Sequence, residues 1–178
     1  MKRTFFILLF LGLVSYLQAQ DFTFSDEGST VTFSVKNLGI NVNGKLTGLK
    51  GKGYFDPANL KESHLEATVD SKTVNTNNSG RDGHLQKKDY LDADAHPLIE
   101  LHSATITSSG ENQFVFDGIV TIKGKSKNIS FPFTAVQENG SYVFTGNFTI
   151  KRKDFDISGG MTMSDEIKVS IKAAGKKI

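Results

Sequence analysis

Residues 113–133 read QFVFDGIVTIKGKSKNISFPF. Phe114, Phe116, Gly118, Val120 and Ile122 fall on every second position, and Ile129, Phe131 and Phe133 resume the alternation beyond Lys123-Gly124-Lys125. A period of two belongs to extended chain with one buried face, because successive side chains of a strand point to opposite sides of a sheet. A helix would repeat its apolar positions every three or four residues. The segment therefore reads as two strands on either side of a turn, each apolar on one side only. Pro132 has no N–H to give to a ladder and marks a bulge or an unpaired position in the second strand.

The same rule holds outward in both directions. Val31, Phe33 and Val35 alternate with Thr32, Ser34 and Lys36, and further runs are Leu65, Ala67 and Val69, then Ile99 and Leu101. Tyr142, Phe144, Phe148 and Ile150 share one face with Gly146 between them, and Ile167, Val169, Ile171 and Ala173 alternate with Lys168, Ser170 and Lys172. Asp56-Pro57, Ser108-Ser109-Gly110, Asn139-Gly140 and Ser158-Gly159-Gly160 separate the runs with turn chemistry. Asn139-Gly140 is the clearest hairpin, since both residues tolerate positive φ. About eight strands with one apolar face each must close into a barrel or pack as two sheets. Long strands, glycines spread through them (Gly44, Gly48, Gly51, Gly53, Gly118, Gly146) and no second helical layer favour an all-β antiparallel barrel. Residues 75–96 break the pattern: they are polar, too long for a hairpin turn, and predict a short helical loop near residues 78–88 capped by Asn77, Asn78 or Ser79.

The chain of 178 residues begins with MKRTFFILLFLGLVSYLQA, a basic start followed by an apolar run that is short of the roughly 20 residues needed to span a bilayer. Residues 1–19 are expected to be a cleaved secretory signal, leaving residues 20–178 as one barrel domain exported to the periplasm or beyond. Without Lys2 and Arg3, 19 basic residues face 19 acidic ones, a balance unlike that of nucleic-acid binders, whose affinity rests on basic groups neutralising phosphates. Cysteine is absent, which removes disulfides, thiolate metal sites and thiol nucleophiles. No internal repeat appears.

Arg81-Asp82-Gly83-His84-Leu85, then Asp89-Tyr90-Leu91-Asp92, then Pro97 with Ile99, Leu101 and Ser103, resembles the signature of the YceI-like polyisoprenoid-binding family. Ser29 to Val35 with Asn37-Leu38-Gly39, Gly44, Gly48 and Gly53, Phe55-Asp56, the run from Gly118 to Gly124 with Lys127, Ile150 with Arg152-Lys153-Asp154-Phe155, and Ser164-Asp165-Glu166-Ile167 follow in the family's order. Each piece is weak alone; together they span nearly all of the chain after the leader. The resemblance implies a secreted or periplasmic, lipocalin-like barrel whose apolar cavity holds a polyisoprenoid, an isoprenoid quinone or a fatty-acid-like chain, with neither cofactor nor turnover. Asn37 stands where many members have His, and Lys125-Ser126-Lys127 replaces a more apolar turn; both departures bear on head-group recognition rather than on the fold.

A small barrel can be filled solid by its own side chains, so the cavity is an implication of the resemblance rather than of the alternation. Its expected lining is Phe33, Val35, Ile99, Leu101, Phe116, Phe131, Phe133, Phe144, Phe148 and Ile150, with the interleaved glycines leaving volume. Asn37, Arg81, Asp82 and His84 are the candidate polar contacts at the mouth; alternatively, Arg81 and Asp82 pair locally and pin the helical loop. His84, Asp89, Asp92, Asp94, His96 and His102 match no metal-ligand spacing, and no metal is expected. No G-x-S-x-G, phosphate-loop or H-E-x-x-H pattern supports an enzyme. Lys151-Arg152-Lys153 and Lys176-Lys177 read as solvated basic runs that would at most touch a membrane surface transiently. A homodimer is left open. The competing reading is a non-enzymatic interaction module with a packed core, acting through the loop at 75–96.

Overall fold

In the computed structural model, which describes residues 20–178, the alternating segments become nine strands. They are β1 (Gln20–Phe24), β2 (Thr30–Asn37), β3 (Ile40–Phe55), β4 (His64–Asn75), β5 (Leu98–Gly110), β6 (Gln113–Ile122), β7 (Lys125–Glu138), β8 (Ser141–Lys151) and β9 (Met163–Lys177). The leader expected over residues 1–19 lies outside the described residues. From β2 to β9 each strand pairs antiparallel with the next, and β2 pairs with β9, so eight strands close an up-and-down, lipocalin-like barrel. Closure removes the free edges that an open sheet would expose.

The ninth strand arises because one barrel position is built in two pieces. β1 lies between β3 and β9 at one end, with Phe22 opposite Gly53 and Lys177, and β2 takes the same neighbours at the other, with Val31 opposite Leu46 and Ile171. Where the chain leaves the ladder between them, the Asp26 carboxylate stands in for it, accepting from the N–H groups of Gly48 and Leu49 at 2.8 Å each.

Three of the hairpins use two-residue turns with both φ values positive: Leu38-Gly39 (51° and 79°), Lys123-Gly124 (51° and 69°) and Asn139-Gly140 (51° and 82°). Such turns match the right-handed twist of the strands they join. Pro132 pairs with Val115 of β6, while the β7–β8 ladder begins only at Phe133 and Gly146; the missing N–H thus falls where β7 has left β8, and no bulge is needed.

The two ends of the barrel differ. One carries β1 and the end of β9 and is solid: Phe22, Phe55 and Tyr142 are almost unexposed, and the Phe55 ring lies 5.0–5.4 Å from those of Tyr142, Phe114 and Phe144. Each such ring contributes roughly 1.5–3 kcal/mol by leaving water. The other end carries the β2–β3 hairpin, the long β4–β5 connection, the β6–β7 turn and the β8–β9 crossover. Here Val120, Ile122, Ile150, Phe155 and Ile157 form a smaller buried cluster.

Phe155 sits on a single 3-10 turn, Arg152–Phe155, that ends β8. This turn corrects the expectation of a solvated basic run: Arg152 is only 6% exposed, while Lys151 and Lys153 face solvent. The turn swings residue 152 inward, toward carbonyls of the crossover and of the start of β9. Arg152 donates to them, from Nε to Ser164 O at 3.2 Å, Nη1 to Ile157 O at 3.0 Å and Nη2 to Met163 O at 3.5 Å.

Candidate functional site

Between the solid base and the opposite end lies a cavity of about 570 Å³. Phe33, Val35, Ile99, Leu101, Phe116, Phe131, Phe133, Phe144, Phe148 and Ile150, the ten apolar positions expected from strand parity, all line it. Phe33, Val42, Leu46, Phe148, Val169 and Ile171 also face it, yet each of these remains only half-buried.

The glycines make this space indirectly. A Cβ at Gly44 would collide with the Phe33 ring, one at Gly146 would come 2.7 Å from Phe131 Cε2, and one at Gly118 would come 2.6 Å from Phe116 Cε1. Each glycine is thus roofed by a phenylalanine laid against the wall. Volume lies beyond the rings, because a flattened ring no longer reaches across the barrel, and Gly146 also lines it.

The helix α1 (Ser79–Leu85) crosses the mouth, and none of its residues is buried. Asn78 caps it by accepting from Arg81 N–H at 3.0 Å. Its other anchor is Thr76, a buried residue just after β4. The Asp82 carboxylate accepts from Thr76 N–H at 2.8 Å and Thr76 Oγ1 at 2.5 Å, while Arg81 donates from Nε to Thr76 Oγ1 at 2.7 Å and from Nη2 to Thr76 O at 3.0 Å. The Thr76 hydroxyl bond, helped by backbone N–H groups and the Arg81 charge, holds the Asp82 carboxyl below its ordinary value. Gln86 Nε2 donates to Lys72 O at 2.8 Å, and Ser158 N–H to Asp89 O at 2.8 Å, tying the loop to β4 and to the crossover.

Of the four polar candidates, Asn37, Arg81 and His84 line the cavity; Asp82 does not, since its carboxylate is occupied by Thr76. His84 packs edge-on against Tyr90 with ring centroids 5.0 Å apart. Asn37 Oδ1 accepts from Thr162 Oγ1 at 2.8 Å, joining the β2–β3 hairpin to the crossover. The histidines and aspartates weighed for a metal are dispersed: Asp94 pairs with Lys72 at 2.6 Å, and His102 lies 3.9 Å from Glu100. Among the described residues no group of three His, Asp or Glu side chains comes together.

Val42, Leu46 and Leu49 of β3, Ile157 and Met163 of the crossover region, and Tyr90 and Leu91 of the long loop also line the cavity without having been singled out. Val42 and Leu46 do alternate, but Gly44 dilutes the signal. Leu49 is shifted by the irregular register around Gly48, and the loop residues have no period to betray them.

The YceI-like domain matches residues 22–174 of this sequence. The chain belongs to the YceI-like family. A UPF0312 protein of Ectopseudomonas mendocina is 29% identical over 157 residues, covering 83% of this chain and 82% of that protein. Among solved structures, BcnA of Burkholderia cenocepacia superposes with a TM-score of 0.80 at 24% identity, over 84% of this chain and 98% of BcnA. A polyisoprenoid binding domain from Saccharophagus degradans gives 0.71 at 12% identity, over 90% of this chain and all of that domain. At such identities these two structures speak for the YceI-type barrel alone.

Proposed function

We propose that this YceI-like protein is an exported, non-enzymatic lipid carrier whose barrel holds one long apolar chain, an isoprenoid or a lipid of similar width. The observation that carries the reading is the half-exposed state of inward-facing Phe33, Val42, Leu46, Phe148, Val169 and Ile171 around about 570 Å³ of apolar lumen. A packed interaction module would have buried them. Membership of the YceI-like family supports the reading, and a polyisoprenoid binding domain shares the barrel. A dry engineered cavity of about 150 Å³ admits benzene, so by the same scale this lumen suits roughly 20 carbon atoms, or about four isoprene units. Each methylene withdrawn from water contributes about 0.8 kcal/mol before the cost of ordering the chain, which selects length and thickness more than identity. Arg81 and His84 at the mouth supply donors for a polar head group.

The test is organic extraction of the purified protein followed by mass spectrometry, together with titration by long-chain isoprenoid alcohols. Co-purifying long-chain lipid or saturable one-to-one uptake is the expected result. Neither lipid in the extract nor uptake in the titration overturns the proposal.

A further inference from the structure

The β2–β3 hairpin and the crossover after β8 bring three exposed apolar side chains to the mouth end of the barrel. Leu38 is 73% exposed, Ile40 is 71% exposed and Met161 is fully exposed. The two segments are joined, since Leu38 N–H donates to Thr162 O at 3.1 Å and Thr162 Oγ1 to Asn37 Oδ1 at 2.8 Å. Single exposed apolar residues need no explanation, but these adjoin Asn37, Val42 and Met163, which line the cavity. Leu38 also holds φ at 51°, a conformation that Asn or Gly adopts at lower cost than a bulky side chain. An apolar residue is thus kept at the outermost point of the turn against backbone preference.

We propose that Leu38, Ile40 and Met161 form a docking tip that enters the surface of a lipid bilayer, bringing the mouth against the membrane for uptake or release of the chain. The inference rests on the lipid-carrier reading and names its partner. A second copy of the protein fits less well: three side chains on a loop tip fall far short of the roughly 800 Å² per partner typical of a stable interface. Nearby exposed Lys36, Lys151 and Lys153 are offset by Asp154, Asp165 and Glu166, so attachment comes from apolar insertion and does not require anionic lipid. Continuity from the tip through Val42 and Met163 to the lumen spares the ligand a passage through water.

The experiment compares the natural protein with the double variant Leu38→Asn, Ile40→Thr, in which Asn suits the positive φ and Thr suits the strand start, so the fold is retained. Flotation with phosphatidylcholine vesicles measures attachment, transfer of all-trans-retinol between vesicles measures exchange, and uptake of retinol from detergent-free solution measures the cavity. Expected is vesicle association by the natural protein that weakens at least about tenfold in the variant, as two aliphatic side chains no longer leave water. Transfer should slow in parallel while uptake from solution is kept. Vesicle association that is absent, or equal in both proteins, overturns the docking tip; so does a natural dimer that the variant dissociates. Failure of uptake from solution by both proteins, with tip-dependent vesicle binding intact, supports the docking tip and overturns the cavity reading instead.

Discussion

Phe33 and Gly44 face each other across β2 and β3, and the ring occupies the space where a Cβ on residue 44 would stand. A side chain at 44 must push the ring off the wall, and the lumen that Phe33 lines is a space open to it. Gly44→Val is therefore expected to reduce long-chain uptake at least about tenfold with a stability loss of about 1–3 kcal/mol, the usual range for added core volume. Gly51→Ala is the contrast, because its Cβ would meet the Glu66 carbonyl and Ala67 Cα, which are backbone and cannot rotate aside. That variant should lose more stability with little specific effect on uptake. Chemical denaturation alongside ligand titration separates the two; a Gly44→Val protein that binds normally would refute the arrangement.

The barrel's two ends should answer differently to the same truncation. Phe55 lies unexposed among Tyr142, Phe114 and Phe144, so Phe55→Ala leaves a cavity in a closed cluster and should cost about 3–5 kcal/mol. Phe148 touches Phe131 on one side, with ring centroids 4.6 Å apart, and faces the lumen on the other. Phe148→Ala should cost roughly half as much, since fewer contacts are lost, and should admit a thicker ligand. Urea unfolding gives the first comparison; competition between straight and branched chains gives the second. Equal stability losses would mean that the lumen is not open at Phe148.

Strand parity made the wall legible, because in a closed barrel every apolar face has only one side to turn to. Phe116 and Phe131 could be assigned inward from the Gln113–Phe133 run alone. Whether rings fill or flank the interior depends on which glycine sits opposite which phenylalanine, and the 33–44 pairing is set by the Leu38-Gly39 turn, which the alternation did not reveal. The splitting of one barrel position into β1 and β2 was hidden for a similar reason: the Asp26 bonds that replace the ladder join residues 22 and 23 positions apart. Arg152 looked like part of a basic run because charge is read along the chain, whereas its burial follows from the backbone turn that begins there.

Asp82 gives the mouth a dependence on acidity. Its carboxyl is held below the ordinary aspartate value of 3.8, chiefly by the Thr76 hydroxyl, so the anchoring of α1 is fully present at neutral pH. It persists as pH falls to the unfolded value and disappears as pH falls through the lower, folded one. Asp82→Ala should raise amide exchange across residues 76–86 at pH 7, with little change in global stability because α1 buries no residue. The natural and variant proteins should converge only once pH has fallen through the folded value, which lies below 3.8. Exchange that is unaltered at pH 7, or a difference that widens in acid, would show that Thr76 and Asp82 do not hold the helix.

Arg152 is the anchor of the opposite rim. Its guanidinium donates to three carbonyls, that of Ile157 in the crossover and those of Met163 and Ser164 at the start of β9, and no carboxylate is bonded to it among the described residues. In Arg152→Met the apolar stem is kept and the donors are lost, leaving those carbonyls to find water in a space closed by Phe155 and Ile157. The expected loss is about 2–4 kcal/mol, from buried acceptors left without partners, or a fall in Tm of roughly 5–15 °C for a chain of this size. Arg152→Lys should recover less than half of it, because one ammonium cannot span three carbonyls that a planar fork reaches together. Since Met163 and Ile157 also line the cavity, both variants should release bound chain faster than Lys153→Met, whose side chain is exposed. Calorimetry and ligand dissociation rates measure the two effects. Full rescue by Lys would show that charge alone, not the shape of the guanidinium, holds the crossover in place.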